Sequence, residues 1–248
     1  MNKATENIIK FAYWNVQGLR ISDNCRKIDD PRFINAVRKH DIICLAETHC
    51  EESDIITVEG YKCFQICRTK SKKINRCFGG IAILYKENLK DGIKFLGHGN
   101  NDYVWVKLSK HFFGISQDMY VCVAYIPPEY SPYYRCRGEN ALDLIEKDMI
   151  MYNGAGQMSL AGDVIARTKN EQDFIQSDSL HDEIENAFYE VDENLRRRNS
   201  QDLTNSCPRG KRLLELCTST QLRIMNGYCI GDTMGRVSVT FNNSKYLP

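Results

Sequence analysis

Short apolar runs bounded by polar turns dominate the chain, and only a few stretches repeat with a helical period. Apolar runs of about four to eight residues predict buried strands, and two runs around a short polar segment predict a hairpin. Pro127 and Pro128 end one run, because proline cannot donate to a sheet. The predicted strands are 8–16, 41–49, "YKCFQICRT", "CFGGIAILYK", "DYVWVKLS", "DMYVCVAYI", "QMSLAGD", "LRIMNG" and "RVSVTFNN".

Helical spacing is limited to three stretches. The first opens with Asp-Pro, a helix-start signal, and places Phe33, Ile34 and Val37 on one face. The predicted helices are 30–40, 138–153 and 211–221. Residues 166–206 are polar and predict a long loop with a short helix near "HDEIENAFYEV".

The order of these elements predicts an α/β fold. Strands outnumber helices and hairpins are frequent, which favours mixed or antiparallel sheets over a purely parallel one. Neither an internal repeat nor a low-complexity linker divides the sequence. We therefore expect residues 1–248 to form one domain.

The composition is that of an ordinary globular protein, with 42% hydrophobic and 26% charged residues. No apolar run approaches the ~18 residues that a membrane helix needs, so no membrane partner is expected. The first 20 residues lack the apolar core and cleavage site of a signal peptide, and 11 scattered cysteines suggest reduced thiols. These features predict an intracellular protein of the nucleus or cytoplasm, not a secreted one, and leave the oligomeric state open.

The net charge of +1 provides no global attraction for nucleic acid, but the basic residues are clustered. "RTKSKKINR" at 68–76 holds five of them and no acid, and "RRR" and "RGKR" follow at 196–198 and 209–212. Such clusters either contact phosphates or are solvated turns and helix faces. The candidate nucleic-acid contacts are Arg68, Lys70, Lys72, Lys73 and Arg76.

Several predicted strands carry polar side chains, or end in them, and these side chains suit one kind of chemistry. They are Asn15, Glu47, Tyr125, Asp163 and Thr240. Singly, each has an ordinary interpretation as a turn residue, a surface acid, a packing phenol or a cap. If the ends converge, two carboxylates and an amide form an oxygen-rich site that suits a hard cation such as Mg²⁺. A magnesium ion beside basic clusters indicates phosphoryl-ester chemistry.

The ordered series of motifs resembles the endonuclease/exonuclease/phosphatase superfamily. The matching segments are "YWNVQGL", "DIICLAETH", "GGIAILYK", "VAYIPP", "LAGDVIAR" and "VSVTF". The run from 196 to 241 is similar to the endonuclease domain of LINE-type retrotransposons. The resemblance implies a DNase I-like, four-layered α/β sandwich with two stacked mixed sheets. It also implies nicking of double-stranded DNA with Mg²⁺ (Mn²⁺ is possible), and a reverse transcriptase in the same polyprotein of intact relatives.

The resemblance assigns a role to each matching residue. Glu47, helped by Asn15, would hold the metal, and Asp163 would position and activate the attacking water. Tyr125 would donate a hydrogen bond to the scissile phosphate, and Thr240 would help to order the site. These roles are consistent with the way a cation and a carboxylate together support attack on a phosphate.

The sequence departs from the family pattern in two places. The family writes its strand end as Gly-Asp-Phe-Asn-Ala, and here Ile165 replaces the Asn. The sequence also reads "NNSKYLP" where the family continues with a Ser-x-Ile-Asp-Tyr strand and a Ser-Asp-His motif. From both departures we expect a C-terminally truncated copy that is impaired or inactive and poorly stable.

Two alternatives stay open at this point. One is an active phosphoesterase from another branch of the superfamily. The other is a non-catalytic nucleic-acid-binding or interaction module that keeps its basic clusters. An assay of plasmid nicking with Mg²⁺ separates the catalytic interpretations from the non-catalytic one.

Overall fold

The computed structural model describes residues 8–22, 25–68, 77–97, 101–131, 133, 139–175, 196–202, 204–229, 232 and 234. The predictions for Lys70, Lys72, Lys73, Arg76 and Thr240, for the short helix near 181–191 and for the strand "RVSVTFNN" lie outside these residues. The chain divides into two compact units, Met1–Ile145 with Met151–Val164 and Glu146–Ile150 with Ile165–Pro248.

In chain order the elements are β1 (Phe11–Asn15), β2 (Arg20–Ser22), β3 (Cys25–Arg26), α1 (Pro31–Val37), β4 (Ile42–Ala46), β5 (Tyr61–Ile66), β6 (Ile81–Lys86), β7 (Ile93–Phe95), β8 (Tyr103–Leu108), α2 (Lys110–Phe113), β9 (Met119–Tyr125), α3 (Ala141–Tyr152), β10 (Gln157–Asp163) and α4 (Pro208–Thr220). Two 3₁₀ turns occupy Lys27–Asp29 and Glu87–Gly92.

The first unit contains two four-stranded mixed sheets. The order is β1-β4-β6-β5 in one and β10-β9-β8-β7 in the other. In each sheet a single parallel pair, β1 with β4 or β10 with β9, lies beside antiparallel neighbours. The expectation of mixed sheets is confirmed.

The two sheets pack face to face through alternate residues of their strands. Ile42, Cys44 and Ala46 of β4 meet Val121 and Val123 of β9 in this core. The intervening residues of β4 point the other way, because successive side chains of a strand alternate between faces. Both faces of β4 are therefore buried, which explains its continuous apolar sequence.

Helices cover the outer faces of both sheets. Phe33 and Val37 of α1 pack in one core cluster with Ile43 and Leu45 of β4. On the second sheet, the ring of Tyr152 at the end of α3 lies 5.3 Å from that of Trp105 and 5.1 Å from that of Tyr120. The first unit is thus the expected four-layered α/β sandwich.

The helix boundaries follow from local chemistry. Asp30 caps α1 by accepting a hydrogen bond from the Arg32 N–H, and Pro31 occupies the first helical position. The third predicted helix begins earlier than its apolar spacing indicates, at Pro208, because Cys207 Sγ accepts a hydrogen bond from the Gly210 N–H. None of the described helices is long and apolar enough to cross a membrane.

The second unit contains α4 and an irregular segment rather than the strand predicted at "LRIMNG". That prediction is wrong, because the Ile224 N–H donates to Asp173 Oδ2 at 2.7 Å and not to a neighbouring strand. Asp173 also pairs with Arg223 at 3.4 Å. The buried Arg198 donates to the Thr168 hydroxyl at 2.8 Å. Arg198 and Arg223 thus connect the loops of this unit.

Candidate active site at the strand ends

Two parallel strand pairs bring polar residues to the same end of the stacked sheets. Asn15, the last residue of β1, is in register with Ala46, and Glu47 follows directly. Asp163, the last residue of β10, is in register with Tyr125 of β9. Since parallel strands run in one direction, both pairs present their carboxyl ends together, as the sequence predicts.

Two hydrogen bonds join these residues across the sheets. Asn15 Nδ2 donates to Asp163 Oδ2 at 3.1 Å, linking β1 to β10. The Tyr125 hydroxyl donates to Glu47 Oε1 at 2.6 Å, linking the end of β4 to β9. The structure therefore brings four of the five strand-end candidates together as two pairs.

Tyr13 supports the same end and was not singled out from the sequence. Its hydroxyl donates to the Ala124 carbonyl at 3.0 Å and accepts the Asp163 N–H at 3.0 Å. Burial, and then the charge of Asp163, raise the pKa of Tyr13. The neutral phenol thus fixes the backbone of Asp163 through a hydrogen bond. The only sequence signal was its position two residues before Asn15, on the same strand face.

The turn after β4 holds Glu47 in an uncommon backbone conformation. Glu47 and His49 have φ values of 53° and 55°, in the left-handed region that non-glycine residues seldom adopt. The Gly18 N–H donates to the Glu47 carbonyl at 2.6 Å and so fixes this turn. Strained backbone of this kind is concentrated at functional sites, where the surrounding structure enforces it.

His49 is a second residue that sequence reasoning passed over. Its Nε2 lies 3.9 Å from Glu47 Oε2, within ion-pair distance when the ring is protonated. A Cβ at position 18 would lie 3.0 Å from His49 Nδ1, so Gly18 leaves room for the ring. The sequence places His49 at the end of the Glu47 motif, two residues after Glu47, but gives no indication of its distance from the carboxylate.

The environment of Tyr125 keeps its phenol protonated. Burial raises its pKa most, followed by the hydrogen bond to Glu47 and the charges of Glu47 and Asp163, while Arg68 lowers it. A protonated phenol can donate a hydrogen bond, to Glu47 as observed or to a phosphate oxygen. The structure therefore presents a donor in the middle of an acidic site.

Arg68, predicted from the sequence as a nucleic-acid contact, is instead buried in an ion pair. It is 4% exposed, and its Nη2 contacts Asp102 Oδ1 at 2.6 Å. Removing a guanidinium from water costs free energy unless a carboxylate compensates its charge. Asp102 provides that carboxylate inside the protein, so the Arg68 side chain points inward. A buried, paired arginine cannot contact a DNA phosphate.

The donor chemistry fits a hard divalent cation. Each carboxylate accepts a hydrogen bond from a neutral group: Glu47 from the Tyr125 phenol, and Asp163 from the Asn15 amide. Because both donors are neutral, these hydrogen bonds do not neutralise the negative charge of either carboxylate. Within the described ranges no three His, Cys, Asp or Glu side chains cluster to hold a metal by themselves. A cation here would therefore need amide oxygens or water besides the carboxylates, as Mg²⁺ commonly does.

Ile165, which replaces the Asn of the family pattern, has a φ of 46°. A β-branched residue is strained in this left-handed region, whereas Asn tolerates it. The departure therefore changes the backbone energy as well as the polarity of the loop.

We expect Ile165→Asn to raise the free energy of unfolding by about 1 kcal/mol, because it relieves this strain. Urea unfolding measures the change. Ile55→Asn is the matched control, since Ile55 is 74% exposed and its change should stay within ~0.5 kcal/mol. Equal effects of the two substitutions would contradict the prediction.

Comparison with known proteins gives a family and several structural likenesses. The model of the Endonuclease/Exonuclease/phosphatase family matches residues 12–163. No curated protein matches the chain. The 3′ phosphatase NExo from Neisseria, bound to a product DNA hairpin, is 14% identical with a TM-score of 0.44. The AP endonuclease from Archaeoglobus fulgidus and the Xenopus laevis APE2 catalytic domain are each 18% identical, with TM-scores of 0.42 and 0.43.

These likenesses cover 68% of this chain and 62% of each of the three solved structures, so the chain spans less than two thirds of their length. The family match contains the whole paired site, from β1 through Glu47 and Tyr125 to Asp163. The chain belongs to the endonuclease/exonuclease/phosphatase family.

Proposed function

We propose that the strand-end site hydrolyses phosphodiester bonds and nicks one strand of double-stranded DNA with a divalent cation, Mg²⁺ or Mn²⁺, and that the departures from the family pattern impair this activity. The observation that supports this most is the pairing of Asn15 with Asp163 and of Tyr125 with Glu47. Two oriented carboxylates beside a protonated phenol match the needs of phosphoryl transfer, which depends on positioning and charge stabilisation.

Each residue has a distinct proposed task. Glu47, with Asn15, would hold the cation, which when bound supplies positive charge to a phosphate oxygen. Asp163 would orient the attacking water and accept its proton. Tyr125 would donate its hydroxyl hydrogen bond to the phosphate. Thr240, assigned by resemblance, would order the site.

The proposed type of endonuclease is inferred from the sequence. The run from 196 to 241 supports a retrotransposon endonuclease of the LINE type, with a reverse transcriptase in the same polyprotein as its partner. Ile165 supports a reduced rate, since an alkyl group stands where the family pattern has an amide. Sequencing the transcript downstream of the Pro248 codon tests the retrotransposon context.

The test of the activity is cleavage of an end-labelled DNA duplex by wild-type protein and by Ile165→Asn, with Mg²⁺, Mn²⁺ or EDTA. We expect cuts in one strand with either cation, none in EDTA, and faster cutting by Ile165→Asn. If neither protein cuts and both bind the duplex, the chain is instead a non-catalytic nucleic-acid-binding module. An inositol phosphate hydrolysed in preference to DNA would indicate another branch of the superfamily.

DNA binding should depend on the basic stretch that follows Arg68. We expect Lys70→Ala, Lys72→Ala and Lys73→Ala together to reduce the slope of log affinity against log salt by up to about three units, since each phosphate contact contributes ~0.9. Titration of a fluorescent duplex at several salt concentrations measures the slope.

The matched control is the triple alanine variant at Lys39, Lys90 and Lys94, which removes the same charge from exposed positions. An equal loss of slope in both triple variants would show a general charge effect and contradict a specific DNA contact by the stretch.

A further inference from the structure

Arg68 packs against Tyr125 and contacts it in two ways. Its Nη2 donates to the Tyr125 carbonyl at 2.8 Å as well as to Asp102 Oδ1. Its guanidinium carbon lies 4.9 Å from the centroid of the Tyr125 ring and 4.2 Å from that of Tyr133. A planar cation therefore supports the backbone and the ring face of the residue that carries the phenol.

Asp102 completes this support from the other side. Its carbonyl accepts the Tyr125 N–H at 2.7 Å, and its carboxylate holds Arg68. Asp102 is 1% exposed, so the pair is fully desolvated. Both backbone polar groups of Tyr125 are thus bound by the two members of one buried ion pair.

Gly79 creates the space in which the guanidinium lies. A Cβ at this position would stand 2.3 Å from Arg68 Nη1, and the backbone φ of 76° also favours glycine. The Gly79 carbonyl accepts the His49 N–H at 2.8 Å. The "GGIAILYK" motif therefore joins the Arg68 support to the turn that carries Glu47.

We propose that Arg68 is a positioning residue, which with Asp102 fixes the Tyr125 phenol in line with Glu47 and the phosphate. The proposal rests on the proposed function for its catalytic consequence. Lysine cannot replace Arg68 in this role, because a point ammonium lacks the planar guanidinium that lies over the Tyr125 and Tyr133 rings while its Nη2 holds the Tyr125 carbonyl and Asp102.

The first test observes the phenol without relying on activity. Protein labelled with ¹³Cζ-tyrosine is studied by NMR, and Tyr125→Phe assigns the Tyr125 signal. In Arg68→Lys we expect this signal to move or broaden while that of Tyr61, which donates to the His40 carbonyl, stays in place. Arg38→Lys is the control, since Arg38 pairs with Glu59 at the surface.

A second variant distinguishes an effect on Tyr125 from unfolding of the protein. Arg68→Leu with Asp102→Leu removes both charges together, and apolar replacement of a buried pair commonly preserves the fold. We expect the same change of the Tyr125 signal. A Tyr125 signal unchanged in both folded variants would overturn the proposal.

The kinetic test uses DNA nicking. Arg68→Lys should lower kcat by about tenfold or more with KM unchanged, because a small misplacement of a catalytic group is costly. The loss should vanish in a Tyr125→Phe background, since the two changes then remove one function. An equal loss in that background would refute positioning through Tyr125. If wild-type protein does not cut at all, the proposed activity fails, and the NMR result still decides the role of Arg68.

Discussion

Glu47→Gln and Asp163→Asn are each expected to lower the rate of Mg²⁺-dependent nicking by at least ~10²-fold. Both substitutions keep the volume of the side chain and an oxygen that accepts the observed hydrogen bond, from Tyr125 or from Asn15. They remove the charge that would attract a cation or accept a proton. Nicked circles formed from supercoiled plasmid, measured under single-turnover conditions, give the rates.

Glu59→Gln is the matched control for charge. Glu59 has a side chain that is 90% exposed, and it pairs only with a surface arginine among the salt bridges of the described residues. Its substitution should leave the rate unchanged. Similar losses in all three variants would point to a general charge effect and not to a site at the strand ends.

Asp102→Leu alone should destabilise the protein by ~3–5 kcal/mol, the largest stability effect expected here. The substitution leaves the Arg68 guanidinium buried without its carboxylate, which lies at 2.6 Å in the wild type. Urea unfolding measures the loss as a lower midpoint.

Adding Arg68→Leu to Asp102→Leu should recover most of this stability, because no buried charge is then left unpaired. An exposed pair provides the comparison, since Glu59→Ala at the surface should cost less than ~1 kcal/mol. A double variant no more stable than Asp102→Leu would show that the loss comes from packing and not from the orphaned charge.

The sequence predicted the parts of the site that lie in register along strands. Asn15, Glu47, Tyr125 and Asp163 each stand at the end of a strand or directly after it. The continuous apolar runs of β4 and β9 predict strands well because both faces of these strands are buried. Motif order then suggested that the ends converge. The α/β class and the mixed sheets followed from the same runs and from the Asp-Pro start of α1, whereas the four layers were an implication of the family resemblance.

The sequence did not reveal features that depend on contacts distant along the chain. Arg68 was grouped with a basic stretch, yet it is buried because it pairs with Asp102, which lies 34 residues away along the chain. Tyr13 was counted as one more apolar strand residue, although its hydroxyl binds the Asp163 N–H. The strand predicted at "LRIMNG" failed for the same reason, since Asp173 captures the Ile224 N–H.

The central claim is that the paired carboxylates form one cation-dependent hydrolytic site. Incubation of wild-type and Asp163→Asn protein with supercoiled plasmid, in Mg²⁺ and in EDTA, tests it most directly. The account predicts nicked circles with wild-type protein in Mg²⁺ only, and at least ~10²-fold fewer with Asp163→Asn. Nicking that persists in EDTA, or that is equal in the two proteins, would contradict it.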